Sequence, residues 1–160
     1  MKRGSTIFLQ IVILLLGAGV LAFLLWEPQV EGRNANATQF EIYFQDPALA
    51  YIYLAFVPVF VGLYQGFKIL GYAGRDEIFS RRSVRAFRII KYCAFTTAIF
   101  FLGAEAYLFM FISGTDDIAG GVAMGAMVIL ACAVTGITAA AFERILRNAV
   151  DIKSENDLNV

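Results

Sequence analysis

"YCAFTTAIFFLGAEAYLFMFI", Tyr92 to Ile112, is uncharged along its whole length except for one acid, Glu105. About 20 such residues cross the roughly 30 Å hydrocarbon layer of a bilayer as a helix. A core helix of a soluble domain would instead interleave a polar face at period 3.6. The stretch therefore predicts a membrane span, and its neighbours extend the pattern. After it, "SGTDDIAG" (Ser113 to Gly120) reads as a tight polar turn, followed by "GVAMGAMVILACAVTGITAAAF", Gly121 to Phe142. Two spans joined this way form an antiparallel hairpin.

Upstream lie "PALAYIYLAFVPVFVGLYQGFKIL", Pro47 to Leu70, and "TIFLQIVILLLGAGVLAFLLW", Thr6 to Trp26. Pro47 suits a first helical turn, Pro58 predicts a kink near Val57, and Trp26 suits an interface. The first span exceeds the 7–15 apolar residues of a secretory signal, and no clear small-residue cleavage site follows it, so it is expected to be retained. The chain of 160 residues is 59% hydrophobic and 16% charged, well above the apolar share of soluble domains. The expected fold is all-α: an integral membrane four-helix bundle forming one domain over residues 1–160, with spans at 6–26, 47–70, 92–112 and 121–142.

Orientation follows from the lysines and arginines. Of the 13, all but Arg33 fall at the N-terminus, at Lys68 near the end of the second span, in the 71–91 loop or in the 143–160 tail. By the positive-inside rule that side is cytoplasmic, which gives an N-in, C-in protein of a bacterial inner membrane. The loop at 27–46 is then outside. It is acidic and reads as a connector, and its "NAT" at Asn36 has only the form of a glycosylation acceptor.

Several function classes drop out. With no histidine, the commonest general base and metal ligand is missing. Cys93 and Cys132 sit singly in apolar runs and read as small core residues. No phosphate-binding glycine loop and no nucleophile–base pair stands out, so no enzyme, metal or cofactor is expected. The net charge of zero carries no argument for direct nucleic-acid binding, and none is expected.

Glu105 poses the sharpest question. A carboxylate inside a membrane span costs about 2.5–3.5 kcal/mol on insertion scales, so it should face other helices and find donors or carry a proton. Gln65, Tyr64, Tyr107, Thr135 and Thr138 are the candidate donors. One reading makes Glu105 the proton or cation site of a small transporter or channel; the other makes it a hydrogen-bonding link between helices. The absence of inverted repeats or paired broken helices favours the link. Gly121 with Gly125, and Gly136 with Ala140, form small-residue pairs four apart that read as a helix-packing stripe, which also accommodates a second copy of the chain.

The stretch "GRDEIFSRRSVRAFRIIKY", Gly74 to Tyr92, is the most informative outside the spans. Ser80 is an N-cap candidate, so the third helix should start near Arg81 and run to Ile112, about 48 Å at 1.5 Å per residue. Arg81, Arg85 and Arg88 then share a face, and anionic lipid headgroups are one expected partner, worth about 1 kcal/mol per basic residue. The fourth helix should continue past Phe142 into an acidic tail. There Glu143 pairs with Arg147 at i, i+4, and Asp151 is placed to latch onto Arg85.

"IFSRRSVRAFRIIKY" and the closing "SENDLNV" resemble the F-S-x-x-N-V-x-x-L-R-x-I segment and the final E-N-D-L-T-V or E-N-D-L-T-I of a bacterial membrane family, domain of unknown function 2975. Ser83 stands where that family often has asparagine, and Asn159 where threonine is usual. The four-span layout is similar too. The resemblance brings no reaction. It implies a membrane partner for a small helix-turn-helix regulator, with contact residues among Phe79, Ser80, Val84, Arg85, Arg88, Glu155, Asn156, Asp157 and Leu158.

Overall fold

The computed structural model describes residues 3–30, 38, 40, 47–112 and 119–158. Four long helices account for nearly all of them: α1 (Arg3–Val30), α2 (Pro47–Gly74), α3 (Arg81–Tyr107) and α4 (Ala119–Leu158). Each is long and apolar enough to cross a membrane. The α3 helix passes directly into a π-helical turn, Leu108–Ile112, so the rod from Arg81 has the length expected. At 40 residues, α4 reaches about 60 Å, far more than a bilayer requires. The expected loops are shortened from both sides, since α1 continues through Pro28 to Val30 and α2 through Gly74. The "NAT" motif, Arg33 and most of the Ser113–Gly120 turn lie outside the described residues.

Helices pack chiefly on their sequence neighbours, α1 on α2, α2 on α3 and, most extensively, α3 on α4. Contacts between their opposite ends make each pair antiparallel. Between α1 and α2, Gln10 Nε2 donates to the Phe67 carbonyl at 3.3 Å and Tyr53 Oη to the Leu24 carbonyl at 3.1 Å. The α2–α3 seam carries Tyr51 Oη to Phe100 O at 2.7 Å and Thr97 Oγ1 to Ala55 O at 3.3 Å. Thr97 is fully buried and Ala55 nearly so. The Thr97 hydroxyl thus bonds the carbonyl next to that of Leu54, which Pro58 leaves without its helical donor, and α2 remains a single helix through the proline.

Small residues set the α3–α4 spacing. On α4, Gly125, Gly136, Ala139, Glu143 and Leu146 are buried, the last four on one face at steps of three and four. A Cβ at Gly136 would stand 3.0 Å from the Phe95 ring, and one at Gly121 3.5 Å from Leu108. Ala140 is half-buried beside them. The stripe read from the sequence as a packing face is therefore occupied by α3 of the same chain.

The link between α2 and α3 is short and closed at both ends. Glu77 N–H donates to the Tyr72 carbonyl at 2.9 Å and Asp76 N–H to Ala73 at 3.3 Å, the paired bonds of a Schellman cap. Asp76 takes the left-handed position, φ 58°, which aspartate tolerates better than most residues. Four residues on, Ser80 (φ −137°, ψ 154°) caps α3 by accepting from Ser83 N–H, as its sequence position predicts. This fixes the start of α3 relative to the end of α2.

Candidate interaction site at the basic end

The ends of α2 and α4 and the starts of α1 and α3 gather at one end of the molecule, where the lysines and arginines concentrate. The strongest polar arrangement there centres on Glu143, the first residue after the apolar run of α4. Its Oε1 accepts from Arg88 Nε and from Arg147, and its Oε2 from Lys91 Nζ, all at 2.7 Å. The residue is only 4% exposed. Removing a carboxylate from water costs several kcal/mol unless charged donors replace the lost hydration, and these three supply both charge and hydrogen bonds. One turn of apolar contact lies beneath, with Phe87 stacked on Phe142 at 5.4 Å. Lys91 also sits 4.8 Å from the Tyr92 ring centroid. The charged and aromatic layers together pin α3 to α4.

The sequence pairs Glu143 with Arg147 alone. The two partners it misses, Arg88 and Lys91, come from α3. The latch between Arg85 and Asp151 does not form: both line a groove of about 290 Å³ with Arg81, Val84, Arg88, Arg147 and Val150, but the described ion pairs run to Glu143. The reason is positional, because Glu143 lies at the depth where α3 and α4 touch, whereas Asp151 is two turns further out.

The other candidate residues divide clearly. Phe79 is 56% exposed and, with Arg85, presents itself to the surroundings. Ser80 is engaged as the α3 cap, Val84 is buried as the floor of the groove, and Arg88 is held by Glu143. Glu155 is exposed near the end of α4. Asn156, Asp157 and Leu158 continue that helix, and their side chains lie outside the described residues.

A second cavity, about 470 Å³, opens between the end of α2 and the start of α3. Gln65, Lys68, Tyr72, Arg81, Arg82 and Arg85 line it, with Ala86 and Ile89.

Glu105 lies far from these cations, half-buried against Gly125 of α4, where an added Cβ would stand 2.9 Å from its Cδ and overlap Oε1. Its Oε2 is buried with no hydrogen-bond partner. None of the expected donors reaches it. Thr135 Oγ1 bonds its own helix at Ala131 O, and Tyr64 lies under Lys68. Tyr107 packs on Phe111, Gln65 faces the basic cavity, and Thr138 is exposed. Among the described residues no three acidic or thiol side chains converge as a metal would need.

Four membrane-length helices and charge gathered at one end define a multi-pass, all-helical membrane protein. Comparison with known proteins narrows that class. A family model described as "Protein of unknown function (DUF2975)" matches residues 32–160, and the chain belongs to that family. It is also 38% identical over 161 residues to "Uncharacterized membrane protein YoaS" of Bacillus subtilis (strain 168), covering 100% of both chains. No solved structure matches.

Proposed function

We propose that this protein is a non-enzymatic component of a bacterial inner membrane, N-in and C-in, whose basic end is a docking platform for a soluble cytoplasmic partner. The observation that carries the reading is the division of charge at that end. Glu143 satisfies Arg88, Lys91 and Arg147, which leaves Arg81, Arg82 and Arg85 without a carboxylate partner among the described residues. These cations stand beside exposed Phe79. A capped α3 clamped to α4 holds them in fixed positions, so a partner meets a preorganised surface and loses little entropy in ordering it. A small helix-turn-helix regulator is the partner implied by the resemblance of the α3 and C-terminal motifs. The protein would hold or release it and would not touch DNA itself.

The test is crosslinking and pull-down from native membranes, comparing the full chain with one lacking Ser154 to Val160. A soluble DNA-binding protein recovered with the first and lost with the second is the expected result. Recovery of nothing but further copies of the chain from both overturns the reading.

One observation favours a second reading. The buried Glu105 Oε2 has no partner, and the π turn that begins three residues later is a feature frequent at functional sites. A proton- or cation-coupled transporter or channel would use that group. Proton flux in liposomes that Glu105→Gln abolishes supports it, and wild-type liposomes no leakier than empty ones remove it.

A further inference from the structure

We propose that the cavity between the end of α2 and the start of α3 binds a phosphate group, carried either by an anionic lipid headgroup or by a soluble molecule. Its volume, about 470 Å³, falls within the roughly 300–1,000 Å³ of small-molecule sites. Lys68, Arg81, Arg82 and Arg85 line it, and none forms an ion pair among the described residues. Two of them, Arg81 and Arg82, occupy the first turn of α3, where cations oppose the positive end of the helix macrodipole. An anion in the cavity removes both penalties at once.

A second observation points to a ligand. Gln65 lies deeper on the same wall and is only 9% exposed. Its amide makes no hydrogen bond within the described residues and is not sealed off from the cavity, so its donors face whatever enters there. A ligand oxygen accepting from Gln65 Nε2 would satisfy it. Tyr72 adds a hydroxyl to the rim, and buried Ala86 leaves room beside α3. Guanidinium forks and an ammonium around one amide are the donor set that phosphate oxygens take.

The location fits a headgroup. The cavity spans the last turns of α2 and the charged opening of α3, where the apolar spans give way to polar sequence. Gln65 lies about 7–8 Å along the helix from Leu70, so a lipid phosphate reaching it keeps its acyl chains beside α2. A soluble phosphate could enter from the other side. The inference shares Arg81, Arg82 and Arg85 with the docking proposal, so its test uses Lys68 and Gln65, which line this cavity and not the α3–α4 groove.

The full chain is reconstituted into nanodiscs of phosphatidylcholine alone or of equal parts phosphatidylcholine and phosphatidylglycerol. Retained lipid is read by native mass spectrometry and thermal unfolding by circular dichroism, with inorganic phosphate titrated into the phosphatidylcholine discs. Selective retention of phosphatidylglycerol identifies a headgroup site. A phosphate-dependent rise in unfolding temperature identifies a soluble ligand. Either effect should weaken roughly tenfold or more in Lys68→Ala and stay unchanged in Arg144→Ala, a cation outside the cavity. Gln65→Glu provides the decisive variant, because a carboxylate among four cations is tolerated by the fold and competes with the ligand. Binding that persists in Gln65→Glu overturns the proposal, as does a wild-type chain responding to neither phosphatidylglycerol nor phosphate.

Discussion

Replacing Glu143 by glutamine tests the account of the α3–α4 clamp directly. Breaking a fully buried ion pair by removing one partner costs about 3–5 kcal/mol, because the remaining charge is stranded. Here the three donors are not equivalent. The Glu143 side chain is 6% exposed and that of Lys91 21%, whereas those of Arg88 and Arg147 are 45% and 51% exposed. The two arginines are screened by solvent and belong with surface pairs, which contribute little. Lys91 carries most of the effect, and glutamine retains one accepting oxygen, so the expected loss is about 3 kcal/mol.

The measurement is unfolding in mixed micelles, followed by a fluorescence probe pair across α3 and α4. A double-mutant cycle between Glu143→Gln and Lys91→Met should give a coupling of about 2 kcal/mol, and the same cycle with Arg147→Met less than about 0.5 kcal/mol. Asp151→Asn is the control, with a change within about 0.5 kcal/mol. A Glu143→Gln chain that loses less than about 1 kcal/mol, or equal coupling to all three cations, would refute the reasoning.

Gly125→Ala should destabilise the hairpin by about 1–3 kcal/mol, because the new methyl meets the Glu105 carboxylate; the loss should largely vanish when Glu105 is alanine as well, measured by the same unfolding assay. Ser80→Ala removes the α3 cap and should cost about 1 kcal/mol, with faster amide hydrogen exchange confined to the first turn of α3.

The spans were legible because lipid removes most structural choices. An uncharged run of the required length has to be a helix, and lysine and arginine mark its ends. Ser80 was legible for a different reason, since capping is a local interaction whose partner, Ser83, lies three residues away. What could not be read locally was which cations Glu143 satisfies, since Arg88 and Lys91 lie 55 and 52 residues from it in sequence. Hairpin symmetry offered a signal: counted outward from the Ser113–Gly120 turn, Glu143, Lys91 and Arg88 lie at nearly equal distances along the two helices. The partner of Gly125 was hidden in the same way, because a glycine stripe announces close approach without saying which side chain approaches. No sequence cue marked the π turn, whose residues Leu108–Ile112 are ordinary apolar ones.

The three bonds onto Glu143 come from α3 and from α4 itself, and together they act as a fixed mark on a sliding scale. Moving α3 along α4 by a single residue displaces it about 1.5 Å, enough to break contacts made at 2.7 Å. A piston stroke between these helices therefore costs them the bonds onto Glu143. A tilt or a twist of the pair about Glu143 keeps those bonds, so the clamp is a pivot and not a slide.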